Sequence, residues 1–429
     1  ECNKENIDAV VVATVTEKPN LVMHWNGETI VDLERSFLDT NGVRVVVDAK
    51  VVDKDVKLPE ERATSAESLE TDLLALLSDL NHASQKGLQT IFDSSVGRST
   101  VNHPLGGRYQ ITPTEASVQK LPVQSGFTNT ASVIAQGFHP YLAEWSPYHG
   151  AAYAVIEATA RLVAAGGEWS KARFSYQEYF ERMDKKADRF GQPVSALLGS
   201  IEAQIQLGLP SIGGKDSMSG TFEGLTVPPT LVAFGVTTAD SRKVLSPEFK
   251  AVGEWIYYIP GQALSQEIDF ETVKANFTQF ASLQKEHKIS TASAVKYGGV
   301  LESIALMSLG NRIGAKVNLT DLSTCLTGQL GGFIFTSTEE IPNVAKIGQT
   351  TQLFTLTVND IDINGLNLLN AFEGKLEAVY PTEFEQSKVL DDVPALVSDT
   401  VIKAKDTVAE PLVYIPVFPG TNSEYDSAK

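Results

Sequence analysis

Two long stretches of the sequence alternate predicted strands with predicted helices, and this alternation limits the fold more than any other feature. In residues 85–242 the predicted elements are helices at 148–165 and 195–207 and a strand at 227–238. In residues 243–402 they are strands at 254–259, 329–338 and 353–358, helices at 270–287 and 300–309, and a glycine-containing loop at 291–299. Because each element must bury an apolar face against another, the pattern predicts tandem domains of the α/β or α+β class.

The flanking segments follow other patterns. Strands predicted at 10–15, 20–25, 28–33 and 43–51, with a hairpin turn at Asn26-Gly27, indicate a β-rich segment over residues 1–55. Further along the chain, residues 66–80 predict a helix, the aromatic run at 176–180 predicts the start of a helix, and residues 413–418 predict a strand.

Charge and residue usage exclude several classes of function. The 429 residues include 35 Lys and Arg against 53 Asp and Glu, a net charge of −18, which argues against nucleic acid and anionic lipid as partners. With two cysteines, and six histidines at no metal-ligand spacing, neither a disulfide framework nor a zinc site is predicted. Two cysteines far apart in the sequence are typical of the reducing cytoplasm, where we expect this protein. No apolar run approaches the ~18 residues of a membrane-spanning helix.

The run SIGGKDSMS at residues 211–219 has the chemistry of a phosphate site. Paired glycines allow a tight turn with accessible N–H groups, Lys215 adds a positive charge, and the hydroxyls add donors. The run is not a P-loop, because Gly214 stands where that motif has its lysine and Asp216 follows Lys215. The alternative is an ordinary Gly-Gly turn after a buried strand, with its charges in solvent.

Glu157 and Arg161 form a second candidate pair on the predicted helix at 148–165. Their spacing of four residues places them on one helix face. They are interpreted either as a salt bridge or, with Glu157 among small apolar neighbours, as part of a metal or phosphate site.

Several motifs, in order along residues 90–429, resemble phosphoribosylformylglycinamidine synthase in its large, fused form. The matching runs are GGRYQ at 106–110, LPV at 121–123, AVIEA at 154–158, SIGGKDSMS at 211–219, LGG at 330–332 and FPGTNSEYD at 418–426. The last run is similar to the first strand and turn of that family's glutaminase domain.

The resemblance implies tandem α/β domains of the aminoimidazole ribonucleotide synthetase-like superfamily, from the second half of the synthetase region. The implied parts are a remnant of the preceding domain at 1–55, a linker and helix at 56–84, a dimerising N-terminal-type domain at 85–242, a C-terminal-type domain at 243–402, and a linker with the first glutaminase strand at 403–429.

The implied activity is an ATP- and Mg²⁺-dependent ligase step of purine biosynthesis. Formylglycinamide ribonucleotide becomes its amidine with glutamine-derived ammonia, after ATP phosphorylates the amide oxygen. The family's catalytic His and Cys fall outside this chain, so we expect the isolated piece to be inactive. Its implied partners are the missing first half and the glutaminase domain, and its apolar surface would favour a homodimer.

The resemblance also implies site residues. Gly214, Lys215 and Ser217 are expected to contact nucleotide or substrate, and Ser175 stands where relatives contact ATP.

Some relatives have an auxiliary nucleotide and Mg²⁺ site in this half, and the sequence departs from it. Ser125 replaces a metal-binding Asp, Arg161 replaces a helix Asn, and SAVKYGG at 293–299 replaces an acidic loop. Glu157 alone remains, whereas Mg²⁺ requires several oxygen ligands. We therefore expect no metal here, with Lys296 and Arg161 replacing its charge or the pocket simply filled.

Two alternatives remain open. This half could be a catalytically degenerate scaffold that completes a pseudo-dimer and docks the glutaminase. It could instead be a sibling enzyme such as aminoimidazole ribonucleotide or selenophosphate synthetase, although those enzymes have no glutaminase-like tail.

Overall fold

The computed structural model describes residues 2–39, 46–52, 63–92, 99–264, 267–382, 400 and 403–428. The chain divides into two compact units, Glu1–Glu383 and Phe384–Lys429. Parts of the predicted strand at 43–51, of the linker at 56–84 and of the domain at 243–402 lie outside the described residues.

The described residues form ten helices. They are α1 Arg35–Leu38, α2 Leu69–Leu77, α3 Lys86–Gln89, α4 Pro140–Trp145, α5 Pro147–Ala164, α6 Ala187–Leu207, α7 Phe270–Glu286, α8 Gly299–Leu309, α9 Gly365–Gly374 and α10 Glu424–Ala428.

Twenty strands accompany them. They are β1 Asn20–Trp25, β2 Glu28–Glu34, β3 Leu105–Gly106, β4 Thr112–Pro113, β5 Ser117–Lys120, β6 Thr130–Gly137, β7 Arg173–Tyr179, β8 Ser211–Lys215, β9 Thr221–Phe222, β10 Leu225–Thr226, β11 Thr230–Asp240, β12 Trp255–Ile259, β13 Gln262–Ala263, β14 Ile289–Val295, β15 Gly314–Val317, β16 Gln329–Leu330, β17 Gly332–Ser337, β18 Ala345–Thr351, β19 Thr355–Val358 and β20 Ile361–Asn364.

The first large sheet has five strands in the order β5-β6-β11-β7-β8, antiparallel except for the parallel pair β7 and β8. Helix α5 packs on β6 and β11, and α6 packs on α5. Alternate residues of β6 are buried, so one face of the sheet contacts the helices and the other presents Ile134 to solvent.

The second large sheet has seven strands in the order β14-β17-β12-β18-β15-β19-β20. All neighbours are antiparallel except β15 and β19. A continuous hydrophobic core joins the two sheets through α5 and α7, and a second core joins α2, α8 and α9. The predicted mixture of strands and helices in tandem is therefore confirmed as an α/β fold. The division into five parts stays a prediction.

Three predicted strands are absent from the described residues. Residues 10–15 form no strand and are fully exposed, and the described part of the strand predicted at 43–51, residues 46–51, is also without regular structure. Residues 413–418, expected to be the first glutaminase strand, form no strand either. An isolated run of β-forming residues gains nothing until it pairs, and none of these runs has a strand partner in the described part of the chain.

Two interior segments differ for another reason. The loop predicted at 291–299 contains most of β14, whose small residues are buried because α5 and α8 cover it. The aromatic run at 176–180 lies in β7 and its end, not at a helix start, and its residues alternate between buried and exposed positions. Helix α6 also differs from its prediction: it begins eight residues before the predicted start and includes Pro193 in its second turn.

Candidate functional site

The glycine-rich run forms an edge strand rather than the expected tight turn. Strand β8 lies at one edge of the five-stranded sheet, parallel to β7, with a register shift opposite Phe174 and Ser175. Gly213, at φ +134°, lies where the register shifts and adopts a conformation that favours glycine. At Gly214 a Cβ atom would lie 2.5 Å from the carbonyl oxygen of Tyr176, so the two strands approach closely only because this residue has no side chain.

This pairing brings the four predicted site residues together. Ser175 is the register partner of Gly213, and the next two pairs are Tyr176 with Gly214 and Gln177 with Lys215. Beyond the strand, the Ser217 N–H donates to the Glu178 carbonyl at 3.0 Å, so the pairing continues past Lys215. Lys215 is exposed, and its Nζ donates to the Asp216 carbonyl at 2.7 Å. The arrangement gives an accessible positive charge on the edge strand, with Ser175 on the neighbouring strand and Ser217 just beyond β8.

Glu178 is a buried acid beside this edge that the sequence analysis missed. It is 6% exposed, and its Oε1 has no hydrogen-bond partner in the described part of the chain. Burial, with a contribution from the charge of Asp216, raises the pKa of Glu178 to about 7. The strand alternation of β7 places Phe174, Tyr176 and Glu178 on its buried face and could have predicted that Glu178 is buried. The prediction of a helix start at 176–180 did not use this alternation.

The second candidate site is a cluster of two acids and two bases. On α5, Arg161 lies 3.8 Å from Glu157 across one turn, as the sequence predicted. Both Arg161 and Lys296 also reach Glu115, a buried acid in the loop before β5 that was not predicted. The Arg161 Nε is 3.4 Å from Glu115 Oε2, and the Lys296 Nζ is 3.0 Å from Glu115 Oε1.

Further donors complete this cluster. The Ser293 hydroxyl donates to Glu115 at 2.8 Å, the Arg161 guanidinium donates to the carbonyls of Glu115 and Gln136, each at 3.1 Å, and the Phe138 N–H donates to Glu157 at 3.2 Å. Burial raises the pKa of Glu157, while Arg161 and Lys296 oppose that rise. Each carboxylate is thus held by protein cations and donors.

The cluster continues into the loop after β14. The Gly298 N–H donates to Glu302 at 3.0 Å, and Glu302 lies 2.5 Å from the His82 ring in the segment before α3. Although burial opposes it, the charge and hydrogen bond of His82 lower the pKa of Glu302. Tyr297 stacks on His139 with ring centroids 3.5 Å apart. Burial and the charge of His82 lower the pKa of His139 to about 3, so its ring is neutral.

These residues do not form a metal site of the usual kind. Among the residues that the structure describes, no group of three or more His, Cys, Asp or Glu side chains could hold a metal ion. Ser125, where the resemblance leads us to expect a metal-binding Asp, lies in an exposed loop between β5 and β6. Cations already neutralise Glu157 and Glu115, so the donor set does not fit Mg²⁺.

Within the described part of the chain, no helix is long and apolar enough to span a membrane.

Comparison with known proteins finds relatives that share one name. No protein-family model matches the chain. Phosphoribosylformylglycinamidine synthase subunit PurL of Picrophilus torridus is 25% identical over 350 residues, covering 76% of this chain and 45% of that protein. PurL of Methanothermobacter marburgensis is also 25% identical, over 423 residues, covering 89% of this chain and 56% of that protein. The chain contains a PurL-like synthetase region.

Solved structures agree on the fold of this PurL-like region. T. maritima PurL complexed with ATP superposes with a TM-score of 0.52 and 16% identity, covering 78% of this chain and 49% of that one. At that identity the likeness shows the fold alone. The chain spans about half the length of the curated relatives it matches.

Proposed function

We propose that this chain is the second half of the synthetase region of a phosphoribosylformylglycinamidine synthase. The proposed reaction is the ATP-dependent conversion of formylglycinamide ribonucleotide to formylglycinamidine ribonucleotide, with glutamine as the source of nitrogen. The observation that carries the proposal is the pairing of β7 with β8, which sets Ser175 beside the exposed glycine–lysine edge. The PurL similarity supports the choice of reaction.

The proposed chemistry follows from the poor leaving-group character of an amide oxygen. The amide oxygen attacks the γ-phosphorus of ATP, ADP leaves, and the resulting phosphoryl imidate is attacked at carbon by ammonia. The C–O bond then breaks and inorganic phosphate carries the oxygen away. Such transfers depend mainly on positioning and on neutralising phosphate charge. Lys215 supplies a positive charge, and Ser175 and Ser217 supply hydroxyl donors. Gly214 allows β8 to lie close to β7, which holds these groups near one another.

Mg²⁺ and the catalytic His and Cys are proposed to belong to other parts of the full-length enzyme. The partners are then the first half of the synthetase and a glutaminase domain, which begins within residues 403–429. The reaction would take place in the cytoplasm. An isolated piece would be inactive, and two copies could pair through the open face of the five-stranded sheet, where Ile134 and its strand partner Val236 are both exposed.

The auxiliary site of this half is proposed to be free of metal. Arg161 forms ion pairs with Glu115 and Glu157, and Lys296 forms one with Glu115. Their positive charges take the place of a divalent ion's charge. Crystals soaked with Mg²⁺ and a nucleotide analogue test this point, because an ion coordinated by Glu157 would overturn it.

A second candidate function is that of a scaffold, in which this half completes a pseudo-dimer and docks the glutaminase without touching substrate. The filled auxiliary cluster favours this scaffold function.

Binding of a non-hydrolysable ATP analogue to the full-length enzyme, with its other nucleotide sites disabled, distinguishes the scaffold from the nucleotide-binding function. The Lys215→Ala variant should weaken the remaining binding at least about tenfold, which corresponds to the loss of one charge-assisted contact. Lys250→Ala, at an exposed lysine outside the edge, should leave it unchanged. Equal binding by all three proteins would favour the scaffold.

A further inference from the structure

Helix α6 is apolar on two opposite faces. One face has small buried residues, among them Ala196, Gly199 and Ala203, and packs against α5. The other has five large aliphatic side chains, which we call the α6 stripe: Val194, Leu197, Leu198, Ile201 and Ile205. At 100° per residue these five fall within about 100° of arc, the width of a face that packs against a partner.

The α6 stripe is exposed along its whole length. Its exposed fractions run from 38% at Val194 to 70% at Ile205. A single exposed aliphatic residue is ordinary on a protein surface, but a contiguous patch of five marks an interaction site.

Among the residues that the structure describes, those that pack on this side of α6 cover only the approach to the stripe. On the same side of α6, Gly191 lies about one turn before the stripe and Ala187 about two turns before it. The Lys50 N–H donates to the Ala187 carbonyl at 2.7 Å, and a Cβ on Gly191 would lie 2.0 Å from the Lys50 carbonyl oxygen. The described residues around Lys50 therefore dock on this face of α6, and no described residue buries the three turns that follow.

Carboxylates flank the stripe on one side. Glu202 follows Ile201 on the helix and lines a groove of about 880 Å³ between α6 and the start of α7. That groove is lined by Tyr148, Glu202, Gln206, Gln262, Glu267, Ile268, Asp269, Phe270 and Glu271. Its lining includes four acids and no Lys or Arg, although Lys274 pairs with Glu271 from outside it. The flank is therefore negative.

We propose that the α6 stripe and its acidic flank dock an amphipathic helix of a partner protein, with an aliphatic face and Lys or Arg along one side. Helices bind grooves in this way through aliphatic anchors three and four residues apart. A second copy of the chain fits less well, because its net charge is −18 and a symmetric pairing would oppose the two Glu202 side chains. The proposal is independent of the proposed nucleotide edge, which lies on β7 and β8.

Three synthetic 18-residue peptides test the proposal by fluorescence anisotropy. One is a Leu/Lys amphipathic helix, one has the same apolar face with Glu in place of Lys, and one is a scrambled Leu/Lys sequence without an apolar face. Measurements at about 150 mM salt screen non-specific attraction to an acidic protein. The amphipathic Leu/Lys helix should bind at least tenfold more tightly than either of the others.

Variants locate the contact. Ile201→Ser with Ile205→Ser should weaken binding of the Leu/Lys helix at least tenfold, since both positions are exposed and their loss should leave the core intact. Leu353→Ser with Leu366→Ser removes equally exposed aliphatic groups elsewhere and should have no effect. Equal binding by both double variants would overturn the proposal. A wild-type dimer that the first double variant dissociates would assign the stripe to self-association instead and also overturn it.

Discussion

Lys296 and Glu115, 181 positions apart, form an ion pair of 3.0 Å that joins the loop after β14 to the loop before β5. The Glu115 side chain is 2% exposed, so its charge depends on Lys296, Arg161 and the Ser293 hydroxyl. The pair thus joins the parts of the chain that carry the two large sheets.

Removing one partner of this pair should be strongly destabilising. Lys296→Met leaves Glu115 with fewer counter-charges in a buried setting, and we expect a loss of about 3 kcal/mol in the free energy of unfolding. Urea denaturation measures it, with Lys250→Met at an exposed lysine as the matched control. The double variant Glu115→Gln with Lys296→Met should lose less than the sum of its parts. Additive effects would mean that the two side chains do not interact.

Gly214→Ala should destabilise the edge strand. The added Cβ would meet the Tyr176 carbonyl oxygen at 2.5 Å, so β8 must move away from β7, at a cost of about 1–3 kcal/mol. Gly224→Ala is the control, because nothing lies within 4 Å of its added Cβ. Hydrogen exchange at the Ser217 amide, which donates to Glu178, should accelerate in the first variant alone. Unchanged exchange there would contradict the described pairing.

Glu178 should make stability fall as pH rises. Its pKa is about 7 in the folded protein against an ordinary value of 4.5, so the folded state keeps a proton that the unfolded state has already released between these values. The unfolding free energy should therefore decrease from about pH 4.5 to about pH 7. Chemical denaturation at several pH values measures this slope, and Glu178→Gln should remove it. A slope that persists in the variant would assign it to another group.

Mg²⁺ should not stabilise this chain. A site on Glu157 with a dissociation constant of about 0.1 mM would add about 2.7 kcal/mol at about 10 mM Mg²⁺. Because Arg161 already pairs with Glu157, we expect no change in the melting temperature between Mg²⁺ and a chelator. Mg²⁺-dependent stabilisation that Glu157→Gln abolishes would show that the auxiliary site binds metal.

Local patterns in the sequence were the most informative. The hairpin of β1 and β2 follows from Asn26-Gly27, both at positive φ, and the approach of Glu157 to Arg161 follows from helical spacing. Both relationships lie within a few residues, so periodicity and turn chemistry determine them.

Long-range relationships could not be read in the same way. Glu115 is an unremarkable acid in the sequence, and only folding brings Lys296 to it from another sheet. Strand β14 was mistaken for a loop because burial on both faces removes the alternation that marks a strand. The glycine run was read as a turn because paired glycines usually form one, whereas here they allow two strands to approach closely.

The most direct test of the account is the rate at which the full-length enzyme converts formylglycinamide ribonucleotide when Lys215 is changed. Lys215→Ala should lower kcat/KM for ATP by about 100-fold, since it removes a positive charge from the proposed site of phosphoryl transfer. Lys215→Arg should restore part of that loss, and Lys250→Ala should have no effect. Wild-type turnover and KM in Lys215→Ala would contradict the assignment of the β7–β8 edge to the active site.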